Sequence, residues 1–184
     1  RLFWNEYQLD PERSDYNIVF DQSVEGDLKI DKLSDSLVRL VKDHLLLNSH
    51  LIEDEWELHW QQNSTVEKLQ LFDSTDQEQQ FVHQPFNIEQ GPLYRFGLFK
   101  RAQNSYDLII VLHHALIDSS SMDEFIGLVS NYYNGQYKTV NLDEQAKQIT
   151  VTNQEFIKSV NDIKKHNAKD YWNKALTNLP AKNE

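Results

Sequence analysis

Apolar and polar positions follow several distinct rhythms along this chain, and each rhythm predicts an element. "YNIVFDQSVEG" (16–26) is rich in β-branched and aromatic residues and reads as a strand. From Ile30 to Leu47 the apolar residues Ile30, Leu33, Leu37, Leu40, Val41 and Leu47 fall near helical spacing. Asp31, Lys32, Ser34, Asp35 and Lys42 stand between them, which predicts an amphipathic helix. "WELHWQQ" (56–62) alternates like a half-buried strand, and "DSTDQEQQFVHQPF" (73–86) reads as a short helix ending before Pro85.

"GPLYRFGLFKR" and "NSYDLIIVLHH" then predict two strands joined by a polar turn near Gln103–Ser105. The stretch "SSSMDEFIGLVSNYYNG" predicts a helix with an apolar face of Phe125, Leu128, Val129 and Tyr132. Ser121 and Glu124 supply a capping-box pattern at its start, and Asn134–Gly135 ends it. Two more helices are expected from about Thr152 to Leu179, the second carrying "DYWNKALTNLP". Strands and helices are mixed, several strands being antiparallel, so the fold class is α+β.

The totals narrow the function. A chain of 184 residues suffices for one domain or one lobe of a larger enzyme, and 39% hydrophobic with 26% charged residues is a globular composition. A net charge of -11 with no visible basic patch argues against nucleic-acid and membrane-surface binding. No cysteine is present, which removes disulfides and thiolate chemistry and makes a reducing cytoplasm the simplest setting. No apolar run has the length of a membrane span. The chain opens on Arg1 without methionine, which reads as a fragment of a longer product.

Candidate chemistry concentrates in "LHHALIDSSS" (112–121), where two histidines leave an apolar strand. Adjacent strand residues point to opposite faces, so His113 and His114 are expected to diverge, one inward and one outward. That divergence argues against a metal, which needs ligands converging on one face. A histidine ending a buried strand can simply hydrogen-bond to backbone. One held by a rigid sheet and followed by an aspartate can also serve as a general base. His44, His50, His59 and His83 are not assigned to the site, the four tryptophans read as core packing, and the acidic clusters Glu53–Asp54–Glu55 and Asp143–Glu144 read as solvated loop charge.

The same stretch, "HHALID", resembles the HHxxxDG motif of condensation domains of non-ribosomal peptide synthetases. Other segments resemble that family in the same order: "RLFWNEYQLDPERSDYNI", "LVKDHLLLNSHL", "QPFNIEQGPLYRFGLFK" and "DYWNKALTNLP". The resemblance implies a chloramphenicol-acetyltransferase-like lobe, with a mixed, largely antiparallel sheet flanked by helices. Residues 1–184 would be the N-terminal lobe of a condensation domain, its C-terminal lobe lying beyond this chain.

It further implies amide-bond formation between thioesters carried on phosphopantetheine arms, in a tunnel between two lobes. No cofactor would bind the lobe directly. The partners implied are peptidyl or acyl carrier proteins, the second lobe and an adenylation domain. His114 is implied at the reaction centre, as base or as the group that positions the amine. His113 and Asp118 are implied to be structural. The isolated lobe is expected to be inactive. A degenerate scaffold or carrier-binding domain, an epimerisation domain, and a coenzyme A-dependent acyltransferase of the same fold are the alternatives.

Three positions depart from the family pattern. Ser119 stands where the motif has glycine, a residue that allows positive φ. Asn48 stands where the resemblance implies an arginine paired with the motif aspartate, and Asp43 where it implies another. Arg39, Arg95 and Arg101 are the candidate substitutes as partner of Asp118.

Overall fold

A computed structural model describes residues 1–165. The described chain falls into two units, Arg1–Leu142 and a second beginning at Asp143. The first contains α1 (Leu2–Leu9), β1 (Asn17–Glu25), α2 (Ile30–Asp43), β2 (Ser49–Asp54), β3 (Glu57–Gln62), β4 (Gln70–Phe72), α3 (Glu78–His83), β5 (Tyr94–Ala102), β6 (Ser105–His113) and α4 (Met122–Tyr133). α5 (Leu142–Lys165) starts on the last residue of the first unit, and from Asp143 on it makes up the described part of the second.

Four strands form one sheet in the order β1-β6-β5-β4, and β2 pairs with β3 in a separate hairpin. β1 with β6 and β6 with β5 are antiparallel, while the short β4 runs parallel to β5. The α+β class and the mixed, largely antiparallel sheet flanked by helices are therefore as the sequence leads one to expect.

The apolar run of β6 is continuous because the sheet is covered on both faces. On one face Tyr94, Phe96 and Leu98 of β5 and Leu108, Ile110 and Leu112 of β6 pack with Leu33, Leu37, Leu40 and Val41 of α2. Phe125, Val129 and Tyr132 of α4 complete that layer. On the other face Ile109, Val111, Leu93 and Phe99 pack with Trp4 of α1, Phe81 of α3, Leu51, Phe86 and Ile88. At about 25 cal/mol per Å² of apolar surface removed from water, these two layers are the main stabilising term. Gly97 is required at the centre of β5, since a Cβ there would stand 2.7 Å from the Phe99 ring and 2.8 Å from that of Phe81.

Several elements differ from the sequence expectation. α2 stops at Asp43 rather than Leu47: the His44 backbone is extended and its ring Nδ1 donates to the Leu40 carbonyl at 2.7 Å, closing the last turn. The hydrophobic pattern does not predict β2 or β4. β3 is not half-buried, because its hairpin pairs only with β2, and most of its side chains face water. Trp4 is buried at 7% exposure, but Trp56 at the hairpin turn is 83% exposed and Trp60 36%, so core packing holds for only one of these three. Glu53 and Asp54 end β2 rather than lying in a loop, and Asp143–Glu144 open α5, where a helix N-terminus favours acidic residues. α5 starts at Leu142, well before Thr152, and "DYWNKALTNLP" with Trp172 lies outside the described residues. No helix among the described residues is long and apolar enough to cross a membrane.

Candidate active site at the end of strand β6

The last residue of β6 is His113, opposite Asn17 of β1 in the sheet register. The strand alternation that turns Ile109 and Val111 into the α1/α3 layer carries His113 the same way. Its ring is 5% exposed and lies at 5.6 Å from Phe3, 6.0 Å from Tyr16 and 6.1 Å from Phe86, measured between centroids. The Ala115 N–H donates to His113 Nδ1 at 3.0 Å, which places the proton of the neutral ring on Nε2. Burial, reinforced by the neighbouring His114, pulls His113 down to about 4. It is a neutral acceptor that pins the turn.

His114 is exposed where His113 is buried. Its backbone N–H donates to the Tyr16 carbonyl at 2.8 Å, continuing the β1 edge, while its ring is exposed. The Phe3 ring stacks on it, with centroids 5.4 Å apart and an interplanar angle of 30°. His114 lines an open recess of about 560 Å³, together with Phe3, Asp118, Ser121, Glu124 and Phe125. Behind Leu116 and Ile117 a smaller apolar cavity of about 160 Å³ reaches His44 and Leu47. Strand alternation predicts that the two histidines diverge; they differ in burial, His113 buried and His114 exposed, while both rings pack against Phe3.

Asp118 is exposed and begins the turn into α4. Its Oδ1 accepts from the Ser121 N–H at 2.9 Å, from Ser120 Oγ at 2.7 Å and from Ser121 Oγ at 2.8 Å. These hydrogen bonds, that of Ser120 foremost, hold its pKa below the usual aspartate value. The capping box expected of Ser121 and Glu124 does not form. Asp118 is the capping acceptor, and Ser121 donates its hydroxyl to Asp118 rather than serving the helix. Ser119 opens a 3-10 turn, Ser119–Ser121, whose backbone is right-handed, so the freedom of a glycine is not needed there.

None of the three arginines pairs with Asp118. Arg39 binds Asp43 at 2.7 Å, Arg101 binds Asp107 and Glu78, and Arg95 donates to the Gln84 carbonyl. Asn48 leaves its buried Oδ1 without a donor. The serines make an arginine partner unnecessary: a carboxylate in water with three hydrogen bonds needs no counter-charge.

The structure thus brings His114 and Asp118 to one recess and sets His113 behind it. The contribution of Phe3 is invisible in the sequence, because only the folded position of α1 brings its ring against the two histidines.

A sequence model of the Condensation domain matches residues 1–183, and the chain belongs to that family. Among curated relatives, it is 27% identical over 160 residues to surfactin synthase subunit 1 of Bacillus subtilis (strain 168), covering 83% of this chain and 4% of that protein. It is 30% identical over 143 residues to tyrocidine synthase 2 of Brevibacillus parabrevis, covering 75% of this chain and again 4% of the relative. The chain therefore spans only a small part of the length of these synthases.

Among solved structures, a variant of the starter condensation domain of rhizomide synthetase superposes with a TM-score of 0.73 at 19% identity, over 98% of this chain and 47% of that one. The tallysomycin biosynthesis protein TlmII gives 0.65 at 18% identity, over 74% of this chain and 37% of its own. These likenesses establish the fold.

Proposed function

We propose that residues 1–184 form the N-terminal lobe of a condensation domain that joins two thioester-bound substrates through an amide bond, with His114 at the reaction centre. The observation that carries this reading is the exposure of His114, alone of the histidine pair, on a 560 Å³ recess at the end of a rigid strand. In the reaction the acceptor amine attacks the donor thioester carbonyl. The C–N bond forms, the C–S bond breaks, and the thiolate takes up the proton the amine gives away. His114 faces the amine and receives or orients that proton. His113 and Asp118 set the shape of the loop, and Ser119 serves in its turn.

Both substrates arrive on phosphopantetheine arms of carrier proteins, so the lobe itself binds no cofactor. An adenylation domain of the same synthetase loads the arms, and the absence of cysteine fits work in a reducing cytoplasm. The recess is open, and a second lobe closes it; the 184-residue chain alone forms no amide bond.

The test is His114→Ala in the full-length synthetase, assayed with two loaded carrier proteins. Amide formation is expected to fall by about 10²–10⁴-fold with folding unchanged. Undiminished turnover overturns the reading, and turnover with free coenzyme A thioesters but not with loaded carriers assigns the acyltransferase alternative instead. A pH–rate profile that loses its lower limb in His114→Asn identifies a base; an unchanged profile at reduced rate identifies positioning.

A further inference from the structure

Arg95 is a buried charged side chain with no carboxylate beside it. It is the second residue of β5, opposite Val111 of β6, and is only 6% exposed. Its guanidinium lies 4.0 Å from the Phe86 ring centroid and 5.8 Å from that of Phe81. Nη2 donates to the Gln84 carbonyl, and Nε is buried with no acceptor. No carboxylate among the described residues stands within 4.0 Å of it, whereas Arg39 has one and Arg13 and Arg101 have two each.

The interactions present do not account for an arginine at this place. The Gln84 carbonyl also receives the Asn17 side-chain amide at 3.0 Å, so it does not depend on Arg95. Burial draws the guanidinium down to about 10, and only the more distant Glu67 opposes that. A buried cation with no carboxylate beside it is destabilising unless something negative completes it.

Space for such a group is present. Arg95 lines a recess of about 230 Å³ whose other polar residues are Gln70, Gln84, Asn87, Glu67 and Tyr94. Three of these are neutral amides able to donate. The one acid, Glu67, is itself exposed to water.

We propose that this recess is a binding site for a small oxyanion, a phosphate or carboxylate group, anchored by the Arg95 guanidinium and shared by the amide side chains around it. Nη2 donates to Gln84 and Nε is sealed from solvent, so the oxyanion meets the guanidinium at its Nη1 end, and the Phe86 ring beneath holds the group in place. The site does not include His114 or the recess in front of it, and it stands independently of the reaction proposed above.

The experiment follows the Arg95 Nε–H resonance of the 184-residue chain by NMR, assigned through its loss in Arg95→Lys. Inorganic phosphate is titrated at constant ionic strength, balanced with sodium chloride, and acetate is titrated in parallel. A saturable displacement of that resonance is expected. Tighter phosphate than acetate marks a phosphate site, and the reverse order a carboxylate site. Glu67→Gln, an exposed substitution that leaves the fold intact, removes the one competing acid and is expected to tighten the midpoint about two- to fivefold. Arg95→Lys, with a point charge in place of a fork, is expected to weaken it about tenfold, read from the amide resonance of Asn87. A resonance that stays still, or drifts equally with sodium chloride, overturns the proposal; so does a midpoint that Glu67→Gln leaves unchanged.

Discussion

The end of β6 and the loop that leaves it are neighbours in sequence and are held by opposite means. At the strand end, His113 is buried among aromatic rings, is kept neutral, and accepts one backbone hydrogen bond. In the loop, Asp118 stands in water, keeps its charge, and gathers two hydroxyls and one backbone N–H. His114 is carried between a rigid buried anchor and a self-contained polar turn, so its placement has two independent supports. Damage to the first is felt by the whole fold; damage to the second stays local.

Substitutions on each side, and acid, separate the two supports. The largest effect is expected from His113→Ala. It opens a cavity in the α1/α3 layer and orphans the Ala115 N–H, with a loss of about 3–4 kcal/mol in urea unfolding. Acid comes next. His113 titrates near 4 in the fold against 6.5 when unfolded, so between those values the unfolded chain binds the extra proton. Its contribution to stability is complete above pH 6.5, is lost as the pH falls, and is gone below about 4, amounting to about 3 kcal/mol. His113→Gln, which has no titrating ring, should flatten that part of a stability–pH curve measured by urea unfolding.

Asp118→Ala is expected to cost less than either, because the group it removes is solvated. The loss should show as faster amide exchange at Ser121 and in the first turn of α4, with the core protected. Asp118→Asn, which keeps an acceptor, should recover much of that protection. Asp118 also loses stability on acidification, but in a lower window, below the ordinary aspartate value, because its folded pKa is depressed. The smallest effect is expected from Asn48→Arg, with no rise in melting temperature, since Asp118 already has its partners. A clear rise would show that the serines satisfy Asp118 only in part.

What could be read from the sequence follows the same division. β5, β6, α2 and α4 were legible because long apolar rhythms report layers of core, as Leu33, Leu37 and Leu40 do on α2 and Leu108, Ile110 and Leu112 do on β6. The difference in burial between His113 and His114 was legible from strand geometry alone. β4 was not, because three residues carry no rhythm and their pairing with β5 is set by distant chain. β2 was hidden in the apolar run after α2, since "LLLNSHLI" fits helix and strand equally until the His44 backbone turns out to be extended. The serines misled in a definite way: a capping-box pattern names two residues, yet an aspartate three positions before Ser121 competes for the first free N–H and wins.

The pairing of β1 with β6 has a consequence in time. As the chain is synthesised, β1 emerges early, but its partner ends at His113. At about 5–20 residues per second, β1 waits roughly 5–20 s before it can join a sheet. β5 and β6, linked by a tight turn, can pair within microseconds of appearing. The hairpin is therefore the template and β1 the latecomer. Tyr16, whose carbonyl receives the His114 N–H, reaches its place only when that strand docks. The loop that carries His114 is among the last parts of this unit to be made, and a ribosome that pauses before His113 leaves a hydrophobic sheet edge open to other chains.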